Sequence, residues 1–216
     1  VEYGNELGAL LEQDLEKKKE MITNYPQVAL IAHLKQIKSG NDVLVATTHL
    51  SSNYNSPHLQ ISQLQLCLNK LQQLVKEIQT VSNAKPAVLL CGDFNSLPDS
   101  YVYELAANGS LSSNSLENVK KIANKNGHGS VLPIELKHQL QFNSAYKSVL
   151  SNEPEMTNVS EQLSCTLDYI WYNTATIQPI AVLDIPKVET MKKEIALPSS
   201  RFASDHIPVV AKFKFK

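Results

Sequence analysis

The chain has 216 residues, a net charge of −1, and 43% hydrophobic against 19% charged residues. That length buries a sizeable core within one domain, and the composition is that of a folded protein rather than a disordered one. The near-neutral charge excludes the long basic track that duplex nucleic acid calls for, while leaving room for a pocket that takes one nucleotide or a strand end.

Residues 1–25 read as helical or loosely ordered, with a Glu/Lys block from Glu12 to Glu20 that suits a solvated face. A strand is expected over Gln27–Lys35, a turn at Ser39–Asp42 and a second strand over Val43–Leu50, together a hairpin or two neighbouring strands. From Pro57 to Val81, Leu59, Leu64, Leu68, Leu71, Val75 and Ile78 recur at helical spacing and predict an amphipathic helix. Pro86–Cys91 is a short, fully apolar run of the buried-strand kind. It leads through Gly92-Asp93-Phe94-Asn95-Ser96 to a capped turn at Leu97–Ser100 and a short helix over Val102–Ala107. Asn108–Gly129 is rich in Asn, Ser, Lys and Gly and reads as a loop. Strands follow at Thr166–Tyr172 and in the closing Phe202–Phe215, where Lys212, Lys214 and Lys216 alternate with Phe213 and Phe215 as a solvent face. Asp184–Ser200 connects them. No run reaches the ~20 apolar residues of a membrane span, and no signal peptide is visible. Cys67, Cys91 and Cys165 are too few and too scattered for a disulfide framework or a zinc site, and read as reduced thiols. The start at Val1, within a charged stretch and without Met, suggests a piece of a longer chain.

Polar residues cluster at the strand ends: His49 at the end of the second strand, Asp93 and Asn95 after the third, Asp168 within the fourth, and Asp205-His206 before the last. Carboxylates and an amide are hard oxygen ligands that suit Mg²⁺. Two imidazoles can move protons or bond a phosphate. Asp168, set in an apolar strand, requires a partner. With no Ser or Cys nucleophile elbow, the set points to metal-assisted attack of water on phosphorus. His33, His58, His128 and His138 lack this placement and read as surface or loop residues.

Four pieces in order, Thr48-His49-Leu50, Gly92-Asp93-Phe94-Asn95-Ser96, Leu167-Asp168-Tyr169-Ile170 and Ser204-Asp205-His206, resemble the endonuclease/exonuclease/phosphatase superfamily. Further stretches, Asp93–Ser100, Phe142–Tyr146, Thr166–Tyr172 and Leu197–His206, resemble its eukaryotic deadenylase group, which holds nocturnin, the Angel proteins and the carbon catabolite repressor-type deadenylases. The resemblance implies an α/β fold: the C-terminal part of a four-layer α/β/β/α sandwich with mainly antiparallel sheets. Residues 1–216 then form the C-terminal portion of a single such domain, whose N-terminal half is missing, and an isolated portion should expose a sheet face.

The resemblance also implies roles. Asp93 activates the attacking water and Asn95 orients it or binds metal. His206, held by Asp168, stabilises the phosphorane-like charge, His49 contacts the scissile phosphate, and Asp205 lies with Asp93 and Asn95 at Mg²⁺. The family's main metal-binding Glu, in a Gln-Glu-Val motif, is absent from this chain. Asn158 matches the adenine-reading Asn, with Met156 where the family has Tyr, and Leu163 falls at its stacking Phe. The implied activity is a magnesium-dependent 3′-5′ exoribonuclease that acts on the single-stranded 3′ end of poly(A) and releases 5′-AMP. The alternatives are a phosphatase or phosphodiesterase on a small nucleotide such as NADP(H) or 2′-5′-linked oligoadenylate, and a non-catalytic binding module. Adaptor proteins of a deadenylase complex are the expected partners, membranes are not, and the expected location is cytoplasmic, with nucleus and mitochondrion as the other options.

Overall fold

The computed structural model describes residues 1–3, 26–127, 132, 133, 135–161, 164–191, 194 and 196–216. The hairpin is present: β1 (Ala29–Lys35) and β2 (Asp42–His49) pair antiparallel, with Ala29 opposite Thr48 and Lys35 opposite Asp42. Helix α1 (Pro57–Ser82) then carries the chain back so that β3 (Ala87–Asp93) runs parallel to β2. Pro57 opens the helix, where a missing N–H costs nothing. Asn83 closes it at φ 54°, its N–H on the Gln79 carbonyl.

Two helices follow, α2 (Tyr101–Asn108) and α3 (Ser113–Lys125). The first was expected from its Ser100 cap, whose hydroxyl accepts the Tyr103 N–H. The second replaces the loop expected over Asn108–Gly129. Ser112 caps it, and its apolar stripe is only Leu116, Val119, Ile122 and Ala123, which the surrounding Asn, Ser and Lys obscure by composition.

The remainder comprises β4 (Phe142–Ser144), α4 (Ala145–Leu150), the short pair β5 (Asn158–Val159) and β6 (Ser164–Cys165), β7 (Asp168–Asn173), β8 (Ile177–Val182), α5 (Val188–Met191) and β9 (Ala211–Phe215). The principal sheet has the order β1-β2-β3-β7-β4, and β5–β6 and β8–β9 form separate antiparallel pairs. Among the described strands only β2 and β3 pair in parallel, so the sheets are mainly antiparallel, as expected.

One face of the main sheet (Leu44, Ala46, Val88, Leu90, Tyr169, Trp171) packs on Leu64, Leu68 and Leu71 of α1 and on Val102 and Leu105 of α2. Burying each such leucine stabilises the fold by about 1.5–3 kcal/mol. The other face (Ala87, Ile170, Tyr172) meets Ala145, Tyr146, Ile177, Phe213 and Phe215, so helices, sheet and second sheet stack as α/β/β. Towards β1 this second face opens to solvent, leaving Leu30 67% and Leu34 53% exposed.

The N-terminal half of α1 is buried on all sides, including His58, Gln60, Gln63 and Gln65. His58 and His138 are therefore core residues and not surface ones; His33 is exposed, and His128 lies outside the described residues. The Leu140 N–H donates to His138 Nδ1 at 3.2 Å, so the proton sits on Nε2, which donates to Leu105 O at 3.0 Å and Ala106 O at 3.2 Å. Burial holds this imidazole below its ordinary pKa, against the two carbonyls. The neutral ring is the one the fold accepts, so its contribution is present above the ordinary histidine pKa of about 6.5 and is lost as pH falls through the lowered value. Urea unfolding of the native chain should show stability declining below about pH 6.5, and His138→Gln should flatten that decline; an unchanged slope in the variant would place the acid sensitivity elsewhere.

Gly92 adopts φ +137°, and a Cβ there would lie 1.9 Å from the Thr48 carbonyl oxygen. Gly92→Ala should cost roughly 3 kcal/mol or more, read as a drop in the urea midpoint at unchanged slope, because strain and backbone clash add.

Candidate active site

The sheet register brings three of the expected residues into one row. His49 is paired with Asp93 across β2–β3, and Asp93 with Asp168 across β3–β7. Directly paired residues point to the same face, so three strands deliver an imidazole and two carboxylates side by side. Asp168 opens β7 and does not lie within it. The fourth member comes from outside the sheet: an isolated bridge pairs His206 with Asn158 of β5, and the His206 ring reaches Asp168.

Asp93 Oδ2 faces His49 Nε2 at 3.3 Å and His206 Nε2 at 3.7 Å. Its Oδ1 accepts the Asn95 N–H at 2.8 Å. Asn95 takes φ 47° and donates Nδ2 to the Leu50 carbonyl at 2.9 Å, which leaves Oδ1 without a partner among the described residues. Burial pushes the Asp93 carboxyl up; the Asn95 N–H pulls down, the Asp168 charge pushes up, the two imidazoles pull down, and the net shift is upward.

Asp168 has the partners its burial demanded. His206 Nδ1 donates to Oδ2 at 2.8 Å, and so does Thr157 Oγ1 at 2.6 Å. Partial burial works against the charged His206, but the hydrogen bond and charge of Asp168, with Asp93 and Asp205 behind, outweigh it and raise the pKa. The charged form is thereby favoured, and the Nδ1 bond fixes the ring so that Nε2 turns toward Asp93.

The aromatic layer beneath makes the row rigid. Phe94 and Tyr169, each next to a site carboxylate, meet edge to face at 5.7 Å, and Tyr103 and Trp171 join them at 4.9 Å. Tyr169 OH donates to the Ser96 carbonyl at 2.7 Å, tying the turn after Asp93 to β7. Cys91, on the site's face of β3, is no nucleophile: burial pushes its thiol up to about 11.

Asp93, Asp168 and His206 can each place a ligand atom within 4.8 Å of the others, the one such group among the described residues. The two carboxylates are hard oxygen donors of the kind that suit Mg²⁺, whereas the imidazole is engaged with Asp168. Asp205 stays outside that group. It is exposed, and its carboxylate accepts Asn158 Nδ2 at 3.4 Å. Asn158 is thereby held against the Asp205-His206 turn, and Leu163 lies outside the described residues.

A model of the endonuclease/exonuclease/phosphatase family matches residues 20–206, a stretch that contains the whole row and both loops. The chain belongs to the endonuclease/exonuclease/phosphatase family. Within that family it is 32% identical over 197 residues to the CCR4-Not complex 3′-5′-exoribonuclease subunit Ccr4 of Candida albicans, covering 89% of this chain and 24% of that protein. The Ccr4 subunit of Saccharomyces cerevisiae gives 32% over 197 residues, covering 89% and 22%. The chain thus spans about a quarter of the length of these curated relatives. Among solved structures, the human nocturnin catalytic domain with bound sulfate superposes with a TM-score of 0.56 at 27% identity, covering 88% of this chain and 54% of that one. The fold alone is shared with ANGEL2, a 2′,3′-cyclic phosphatase, in complex with adenosine-2′,3′-vanadate, at a TM-score of 0.71, 23% identity, and 87% and 61% coverage.

Two site-supporting residues escaped the sequence reading. Gln60 of α1 donates to Ser51 O at 2.8 Å and Asn95 O at 2.9 Å, clamping the loops after β2 and β3 together. Thr157, fully buried, accepts the N–H groups of Leu167 and Asp168, each at 3.0 Å, while donating to the Asp168 carboxylate. Its position between Met156 and Asn158 was the available signal. Thr157→Val should cost about 1–3 kcal/mol in urea unfolding, since two buried N–H groups lose their acceptor, and should lower turnover further by loosening the Asp168–His206 pair. Unaltered stability in the variant would refute this hydrogen-bond role.

Proposed function

We propose that this chain carries part of the active site of a magnesium-dependent 3′-5′ exoribonuclease that shortens poly(A) and releases 5′-AMP. The observation that carries the reading is the His49–Asp93–Asp168 row, closed by the 2.8 Å bond from His206 to Asp168. The 32% identity to Ccr4 exoribonuclease subunits supports RNA as the substrate class.

In this reading Asp93 takes a proton from the attacking water. Its Oδ2, not held by the backbone, is the oxygen placed to accept that proton. His206, oriented by Asp168 and charged, faces the oxygens on which negative charge grows. His49, with its side chain 70% exposed, is free to donate to the scissile phosphate. Asp168 and His206 already satisfy one another, so Asp93 and the Oδ1 of Asn95 are the residues that would hold Mg²⁺. When bound, the ion would neutralise phosphate oxygens and favour departure of the leaving group. Asn158, beside His206, would read the terminal base. By analogy with the complex named for the Ccr4 relatives, the whole protein would work with adaptor subunits.

The test uses the full-length protein with 5′-labelled oligo(A), NADP(H) and 2′-5′-linked oligoadenylate. Stepwise shortening of oligo(A), release of 5′-AMP and loss of both in EDTA are expected. Asp93→Ala should lower turnover at least about 10²-fold with unchanged thermal unfolding. Turnover of NADP(H) or 2′-5′ oligoadenylate in place of oligo(A) would reassign the substrate. Absence of magnesium-dependent turnover of all three would leave a binding module.

A further inference from the structure

A cleft of about 710 Å³ lies between the loop after β2, the first turns of α1 and α2, and the end of α3. That volume falls within the roughly 300–1,000 Å³ of small-ligand sites. Asn95 lines it, and the same residue's N–H holds Asp93 Oδ1 at 2.8 Å, so the cleft and the catalytic row share one wall.

The lining has the chemistry of a nucleotide. Tyr54 lines the cleft and stands 81% exposed, a large aromatic left open among the described residues. Leu97 and Ile122 add apolar surface. Lys125 lines it with no ion-pair partner among the described residues. Both α1 and α2 begin at the cleft, at Pro57 and Tyr101, so two positive helix ends add to the Lys125 charge. Ser96 also lines it, and its hydroxyl is buried with no hydrogen-bond partner among the described residues. Asp99 is the one acidic side chain of the lining and offers an acceptor for a ribose hydroxyl.

We propose that this cleft is a second nucleotide subsite for single-stranded RNA, holding the residue next to the one whose phosphate is attacked. The base stacks on Tyr54 and the phosphate is met by Lys125. The proposal rests on reading the adjoining row as a phosphodiesterase site. A strand bound at the row passes the Asn95–Ser96 turn, and the cleft beyond that turn supplies a π-face and a cation, the two elements that hold single strands without reading sequence.

Binding of a fluorescent oligo(A) to the full-length protein in EDTA, followed by anisotropy, tests the subsite apart from catalysis. Tyr54→Ala should weaken binding about five-fold or more, while Tyr54→Phe holds close to the native value. Lys125→Ala should weaken binding and lower the slope of log Kd against log salt by about 0.7. Both residues are exposed, so folding is not at stake. The same two alanine variants should raise KM for oligo(A) with kcat within about two-fold. If the native protein trims oligo(A) while both alanine variants bind as it does, the subsite is refuted and the catalytic reading stands. If the native protein binds oligo(A) and the variants bind less, yet nothing is turned over, the subsite stands and the exonuclease reading falls. Failure of the native protein to bind oligo(A) refutes the subsite outright.

Discussion

The close approach of two parallel strands at Gly92 is the constraint on which the site depends. With a Cβ excluded by 1.9 Å from the Thr48 carbonyl, only glycine lets β3 lie against the end of β2 in this register. That register sets His49 beside Asp93. A slip of one residue would turn Asp93 to the helix-covered face, where Phe94 now packs. The bond from Leu50 N–H to the Asp93 carbonyl continues the pairing one step past the strand ends and brings the two following loops together, where Gln60 clamps them.

The electrostatics follow from that geometry. Asp93 and Asp168 are neighbours across the sheet, and the Asp168 charge raises the cost of ionising Asp93. Two acidic groups so placed are tolerable because the imidazoles of His49 and His206 flank Asp93, and because Thr157 and His206 both donate to Asp168. The arrangement separates two tasks. Asp168 has its charge committed to donors from the protein. Asp93 keeps one oxygen committed to a backbone N–H and the other facing open groups, and a reactive carboxylate requires that division.

Much of this was legible in the sequence because strands are short apolar runs and the chemistry falls at their ends. The β1–β2 hairpin, α1, β3, β7 and the final strand follow from period and turn residues, and His49, Asp93, Asn95, Asp168 and His206 each stand at such a boundary. What was not legible depends on contacts distant in the chain. Helix α3 has an apolar stripe of four residues in a polar stretch, and composition hides so narrow a face. His138 and Gln60 are polar residues whose burial is repaid by backbone carbonyls 33 and 35 residues away, which no local pattern encodes. Thr157 acts through a carboxylate 11 residues on, reached only because β5 and β6 fold the chain back. Asp205, adjacent to His206 in sequence, is exposed and accepts the Asn158 side chain from 47 residues away, another contact that no local pattern encodes.

The near-neutral charge of the chain can now be set beside the site. A protein that tracks a duplex neutralises many phosphates and carries a basic excess to do so. Here positive potential is local: an imidazole at the row whose charged form Asp168 favours, the first turns of α1 and α2, and Lys125 at the neighbouring cleft. Such a distribution handles one or two phosphates and the bases attached to them. With RNA as the substrate, it would give a free strand end an advantage over a continuous helix, because the exposed ring of Tyr54 could stack only on a base that has left its pair. The selectivity of the site would then lie in which ends can reach the Asp93–His206 row and in what the adjoining cleft can stack, with overall charge contributing little.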